Sequence, residues 1–369
     1  MLLWYWGRRG AGGQLTLALA EALQRRPDTM VALSLSAQAD LLPDLLRLGL
    51  PADAVPTYSS SIGFATGLFR TPALAQRLVA QARALRADVV LSVMTHLWTP
   101  LVAPALRRAG VPFVPIVHDA APHPGDFSLA WSWRLERELD AATAALVLSD
   151  AVAAQVKHQR PDLPLGRLAL GAHLPDWHVP HCAASRRGNG VRFLLFGRLR
   201  AYKGLDLLRD AWPLVRAQQP DAQLSVVGEG DAETLAPGLS ALPGVTVDTR
   251  WIVESDIPAL MAGADVVVQP YREASQSGVV PLALALGVPV VATPVGGLRE
   301  QLADGRNGLL ASRVDATAIA EAMVRLCDPV LRQNLARGAA EAGVALMDWD
   351  RHAEAMLAQL RRLLQAGPE

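Results

Sequence analysis

Short apolar runs alternate along the chain with stretches whose apolar residues recur every three or four positions. In the first half, the runs at residues 2–6, 31–35, 89–93, 113–117 and 145–148 predict strands. Between them, residues 15–23, 73–85 and 101–108 carry helical spacing. A second alternation follows, with strands at 193–196, 224–227, 245–247, 266–269 and 288–292. Its helices fall near 205–217, 257–262, 282–286 and 316–326, and residues 349–364 read as a terminal helix. Strand–helix alternation of this kind predicts parallel sheets with helices on both faces. From His173 to Gly190 the periodicity fails in a run of prolines, histidines, glycines and arginines, which reads as a linker. The expected organisation is α/β: a first doubly wound domain over 1–172, a linker over 173–190, a second domain over 191–345 and a terminal helix within 346–369. Two such domains facing each other leave a cleft at the carboxyl ends of their strands.

Composition narrows the class. A chain of 369 residues, 51% hydrophobic and 19% charged, can bury two cores and is not a disordered polymer. Its 35 basic and 35 acidic residues cancel, so charge gives no case for nucleic-acid binding. Two distant cysteines, Cys182 and Cys327, and no leader before the first strand fit a reducing cytoplasm. The uncharged stretch 274–298 is broken by Pro281, Pro289 and Pro294, so it is no continuous membrane helix. The set His173, His178, His181 and Cys182 matches no standard zinc spacing, and no metal site is expected.

Two segments hold most of the candidate chemistry. FGRLRAYKG, at 196–204, follows an apolar run and opens a helical pattern, which puts Gly197, Arg198 and Lys203 at a strand-to-helix junction. REASQSGVVPLALALGVPVVAT, at 272–293, places Glu273 in a loop and leads Ser277, Gly278 and Val279 into the next helix. A helix N-terminus offers unpaired N–H groups and about half a positive charge, so it favours an anion. One guanidinium and one ammonium added to it suit a diphosphate. An ionised Glu273 can only accept hydrogen bonds, which fits it to sugar hydroxyls; an ion pair with Arg272 is the plainer alternative. Gly228-Glu229-Gly230 follows a strand and reads either as backbone passing close to a nucleotide or as a generic turn.

FGRLRAYKG, then VVGEGD at 226–231, then the Glu273 loop resemble the donor half of family-4-type retaining glycosyltransferases of the GT-B fold. The resemblance is strongest from about residue 191 to 310. It implies two Rossmann-like domains facing a central cleft, with the terminal helix crossing back to the first and Trp349 anchoring it. It also implies that a sugar moves from a nucleotide diphosphate sugar to a sugar or lipid-linked acceptor with retention, in polysaccharide or glycolipid synthesis. Arg198 and Lys203 would stabilise the leaving diphosphate without a metal cofactor, helped by the N–H groups near Ser277, Gly278 and Val279. By the same resemblance, Trp251 and Ile252 lie where the base packs, and His118 lies beside the donor sugar. Gly12 and Gly13 would reach toward donor phosphate or acceptor, unless they form only a strand-to-helix turn. The chain departs from the family at Pro281, where a second glutamate usually contacts the ribose, so that role is not carried over.

Two rival readings stand beside this one: a GT-B-like nucleotide-sugar epimerase, and a non-catalytic nucleotide-sugar-binding protein. Residues 54–87 contain no acidic residue but hold Arg70, Arg77, Arg83 and Arg86. Such a basic helix suggests peripheral contact with an anionic inner-membrane surface; a solvated helix face is the alternative.

Overall fold

A computed structural model describes residues 1–122, 128–174 and 190–365. They divide into two compact units. Unit 1 comprises residues 1–122, 128–171 and 348–365, and unit 2 comprises 172–174 and 190–347. Residues 175–189, the greater part of the expected linker, lie outside the described residues, and with them His178, His181 and Cys182.

Unit 1 is built on β1 (Leu2–Tyr5), β2 (Ala32–Ser36), β3 (Ala52–Val55), β4 (Val90–Ser92), β5 (Phe113–Val117), β6 (Ala145–Val147) and β7 (Leu165–Arg167). They form one parallel sheet in the order β3-β2-β1-β4-β5-β6-β7. Strand side chains alternate between faces. In β1, Leu3 and Tyr5 enter one apolar cluster while Leu2 and Trp4 enter another, which is why the strand has no polar position. The helix Trp349–Gln365 buries Ala353, Met356, Leu357, Leu360 and Leu363 in the first cluster, and the partly buried Trp349 packs at its edge. Arg25–Asp350 and Arg361–Asp28 ion pairs flank that contact.

Unit 2 carries β8 (Arg192–Phe196), β9 (Gln223–Val227), β10 (Val245–Asp248), β11 (Val266–Gln269), β12 (Val290–Ala292) and β13 (Gly308–Leu310). Again all pairs are parallel, in the order β10-β9-β8-β11-β12-β13. Phe193 and Leu195 face one core, and Leu194 and Phe196 the other. In each sheet the order reverses direction beside a central strand, between β1 and β4 and between β8 and β11, and ligands of such sheets bind beyond the carboxyl ends at that switch. Among the described residues no helix is long and apolar enough to cross a membrane.

Candidate functional site

In unit 2 the loops leaving β8, β9 and β11 are locked together by glycines. Gly197 leaves β8 at φ +114°, and its N–H donates to Val227 O at 3.0 Å. Gly228 follows β9 at φ +146°, and an added Cβ would stand 2.7 Å from the carbonyl carbon of Gly197. Gly230, at φ +150°, leaves only 2.6 Å for a Cβ against Leu199 Cβ. Both conformations are ones that only glycine adopts at low cost. The bare faces of Gly228 and Gly230 thus meet the β8 loop, a protein-internal use that the expected nucleotide contact did not include.

That loop ends in a single 3₁₀ turn, Ala201–Lys203, closed by Gly204 in the left-handed region at φ +67°. A Cβ on Gly204 would run into Pro270 O, so the β8 and β11 loops touch here as well. Lys203 is held inward at 7% exposure, with its ammonium 5.0 Å from the ring centre of the buried Tyr271. No carbonyl or carboxylate of the described residues accepts a hydrogen bond from its Nζ. Burial brings its pKa down to about 8; Tyr202 opposes that shift, and the charge of Arg198 reinforces it. Arg198 itself is exposed. A buried ammonium without an acceptor costs several kcal/mol, an expense that a bound anion relieves.

The β11 loop is braced from within. Ser277 Oγ donates to the fully buried Gln269 Oε1 at 3.0 Å and accepts from Val279 N at 3.2 Å. Gln301 clasps the Ser277 backbone from both sides, accepting from its N–H at 2.8 Å and donating to its carbonyl at 2.9 Å. This corrects one expectation: the N–H groups of Ser277 and Val279 are occupied by protein and do not point at a phosphate. Gly278 N–H, with no acceptor among the described residues, is the one left. Gly278 is exposed, and an added Cβ would meet nothing within 4 Å. The helix it leads into, Val279–Ala285, has seven residues, so its dipole is a small contribution.

Glu273 is exposed on this loop, and Arg272 ion-pairs with Asp206, not with Glu273 as the plainer alternative had it. Arg272 N also donates to Tyr202 O at 2.7 Å, which ties the Glu273 loop to the Lys203 turn. Ile252 is 8% exposed within the apolar cluster of Val227, Ile257 and Met261, so its side chain is core and is not a surface for a base. Trp251 beside it is half-buried. Pro281 is buried, and its position offers no ribose ligand.

Unit 1 has strand ends of its own. Gly10, at φ +84°, caps the helix Ala11–Gln24. A Cβ on Gly12 would lie 2.8 Å from Tyr5 Cε2 and 2.9 Å from Met94 Sδ, and one on Gly13 would lie 3.1 Å from Leu41 Cδ1. Both glycines are buried, so helix packing accounts for their missing side chains, as the plain-turn alternative holds. His118, at the end of β5, bonds Val93 O through Nε2 at 2.9 Å. A carbonyl only accepts, so Nε2 carries the proton and Nδ1 keeps its lone pair. Burial lowers the His118 pKa against the Val93 carbonyl and Asp119, which keeps the ring neutral at pH 7.

Several residues around these loops have no signal in the sequence. Tyr271 follows β11 at the end of an apolar run and carries no mark of a site. Gln301 lies 24 residues beyond Ser277 and carries no motif. In unit 1 the buried His96 and Glu138 stand with Thr95, whose hydroxyl lies 2.9 and 2.8 Å from the two Glu138 oxygens. Burial raises the Glu138 carboxyl to about 7, while the Thr95 hydroxyl and the Arg134 charge pull it down.

Residues 190–328 match the family described as glycosyl transferases group 1, and residues 12–169 match glycosyltransferase family 4. A GDP-mannose-dependent alpha-(1-6)-phosphatidylinositol monomannoside mannosyltransferase of Mycolicibacterium smegmatis is 36% identical over 222 residues, 56% of either chain. A D-inositol 3-phosphate glycosyltransferase of Jonesia denitrificans is 36% identical over 177 residues, 45% of this chain and 42% of that protein. The chain spans about half the length of the curated relatives it matches. The crystal structure of Anabaena HepE in complex with UDP and glucose aligns over 98% of this chain and 99% of its own, with a TM-score of 0.72 at 19% identity.

Proposed function

Because this chain belongs to the family-4-type glycosyltransferases of the GT-B fold, we propose that it moves a sugar from a nucleotide diphosphate sugar to an acceptor hydroxyl with retention of configuration. The acceptor is a sugar or a lipid-linked sugar or polyol, in keeping with the phosphatidylinositol mannoside and inositol phosphate in the relatives' names. The observation that carries the reading is Lys203, a buried cation beside Arg198 with no acceptor among the described residues. Lys203, Arg198 and Gly278 N–H take the diphosphate, whose negative charge grows as its bond to the anomeric carbon breaks. Glu273 accepts hydrogen bonds from the donor sugar, and Nδ1 of His118 accepts one from a hydroxyl. The acceptor oxygen bonds to the anomeric carbon on the face the diphosphate leaves, and its proton passes to the departing phosphate oxygen. Charge neutralisation then rests on the two cations, without a metal.

Incubating the protein with UDP-, GDP-, ADP- and dTDP-sugars and a mixed acceptor pool, in EDTA, tests this reading. One donor is expected to give a glycoside whose anomeric coupling constant by NMR matches that of the donor. An inverted product, an epimerised nucleotide sugar formed without acceptor, or a strict need for added metal contradicts it.

We also place unit 1 at the cytoplasmic surface of an anionic membrane. The expected basic patch is largely tied down: Arg77 bonds Asp53, Arg83 donates to Ala109 O and Arg70 to Pro56 O. The support lies next to it, where Ile62 and Phe69 are 78% and 89% exposed. Co-sedimentation with vesicles of acidic phospholipid should fall several-fold in Ile62→Glu/Phe69→Glu. Equal pelleting of this variant and the parent, or none of either, removes the membrane contact.

A further inference from the structure

Unit 1 holds a second group of donors that the reading above does not use. His96 follows β4 and is 7% exposed, ringed by Tyr58 at 5.2 Å, Trp98 at 5.4 Å and Trp6 at 6.3 Å between ring centres. Trp98 N–H donates to His96 Nδ1 at 3.2 Å, so the neutral ring carries its proton on Nε2. Among the described residues nothing accepts that N–H. Arg134 stands one helical turn before Glu138, whose carboxylate accepts from Thr95, the neighbour of His96. Burial, together with the charges of Arg134 and Arg8, drives the His96 pKa down to about 3. Arg134, on the helix Ser128–Ala141, lies 5.4 Å from the Trp131 ring centre, and its buried Nε has no hydrogen-bond partner. Arg8 lies 5.9 Å from the Tyr58 ring centre, and among the described residues its side chain donates only to Ser59 O, at 3.1 Å. The carboxyl near Arg134, Glu138, is hydrogen-bonded by Thr95 and not by Arg134. Two cations and an N–H donor thus converge on a buried polar spot with acceptor capacity missing.

We propose that His96, Arg134 and Arg8 form an oxyanion site in unit 1 that takes a phosphate monoester or diester group, and that this group belongs to the acceptor. The first half stands on unit 1 by itself; the second rests on the transferase reading. Guanidiniums match phosphate oxygens in pairs of hydrogen bonds, and the His96 N–H supplies a fixed, uncharged third donor. The Trp98 backbone N–H on Nδ1 and the aromatic rings around His96 hold that donor in place. Glu138, by its charge, weakens anion binding and disfavours a second negative group.

The first measurement is the thermal shift produced by inorganic phosphate in a Lys203→Met background, which disables the diphosphate site of unit 2. A saturable rise in Tm is expected, lost in Arg134→Gln and reduced in Arg8→Gln, but strengthened in Glu138→Gln. That opposite sign separates an anion site from mere destabilisation, and the half-buried Arg8 keeps the test open should a His96→Phe variant fail to fold. No phosphate-dependent shift, or a shift that Arg134→Gln leaves intact, overturns the site. The second measurement is acceptor KM. A phosphorylated acceptor should be used with a KM about 10-fold below that of its dephosphorylated form, and Arg134→Gln should erase the difference without changing the donor KM. A difference seen with a soluble polyol phosphate assigns a free phosphate, and one seen only with acceptor in vesicles assigns a lipid headgroup. Phosphate binding without any such KM difference removes the acceptor half; phosphate binding without transfer from any donor removes the transferase reading and leaves the site.

Discussion

Replacing Lys203 with methionine should lower kcat/KM by about 100-fold or more while leaving the protein at least as stable at pH 7. The two halves of this expectation have the same cause. Methionine keeps the apolar stem over Tyr271 and deletes the charge. The charge is costly to the free protein: burial takes its pKa from 10.5 to about 8, a difference worth about 3 kcal/mol. The pKa is depressed in the fold, so the associated stability is fully present above pH 10.5 and is lost as pH falls through 8. At pH 7 the free protein bears the whole penalty, and Lys203→Met removes it. Wild type should therefore gain stability on raising pH from 7 to 10, and the variant should not gain through this group. Arg198→Ala should likewise cost about 100-fold in kcat/KM, with little change in stability because Arg198 is exposed. Steady-state kinetics beside denaturant unfolding checks both. Near-normal turnover in the two variants would leave the buried cation without a purpose.

Gly228→Ala should destabilise the protein by about 3–5 kcal/mol, combining left-handed backbone strain with a clash that cannot relax. Its φ of +146° excludes most L side chains, and its neighbour is the backbone of Gly197, not a flexible side chain. The clash also falls on the loop that aims Arg198, so kcat/KM should fall in whatever fraction remains folded. Gly278→Ala is the matched control. With nothing within 4 Å of the added methyl group and an ordinary backbone conformation, stability should change by less than about 0.5 kcal/mol. Equal stabilities for the two variants in urea unfolding would show that the loops do not lie against each other as described.

The central strands were legible in the sequence because both faces of each are buried, which demands a continuous apolar run. β3, β7 and β13 were not. All three are sheet edges, paired on one side only, and segments such as Ala52–Val55 and Leu165–Arg167 keep polar residues that a central strand would exclude. The helices Ser128–Ala141 and Pro329–Met347 also escaped, the second because only Leu335, Ala339 and Gly343 along its 19 residues are buried. In the site, Arg198 and Lys203 could be read because they follow a strand within a single short segment. The occupation of Ser277 N–H could not be, because its acceptor, Gln301, belongs to a different element. Ile252 carries no local sign separating a core isoleucine from one against a base. Arg134 and Glu138 share one helix at i, i+4, but only the folded sheet brings them to His96, and no motif captures that meeting.

The central claim is that unit 2 holds a diphosphate through Lys203 and Arg198. Isothermal titration with the nucleoside diphosphate of the active donor, the matching monophosphate and the nucleoside tests it most directly. The account predicts a diphosphate Kd at least about 10-fold below that of the monophosphate, with Lys203→Met reducing the advantage to near unity and leaving nucleoside affinity unchanged. Equal affinities for diphosphate and monophosphate in the wild type, or a diphosphate advantage that survives Lys203→Met, would contradict it.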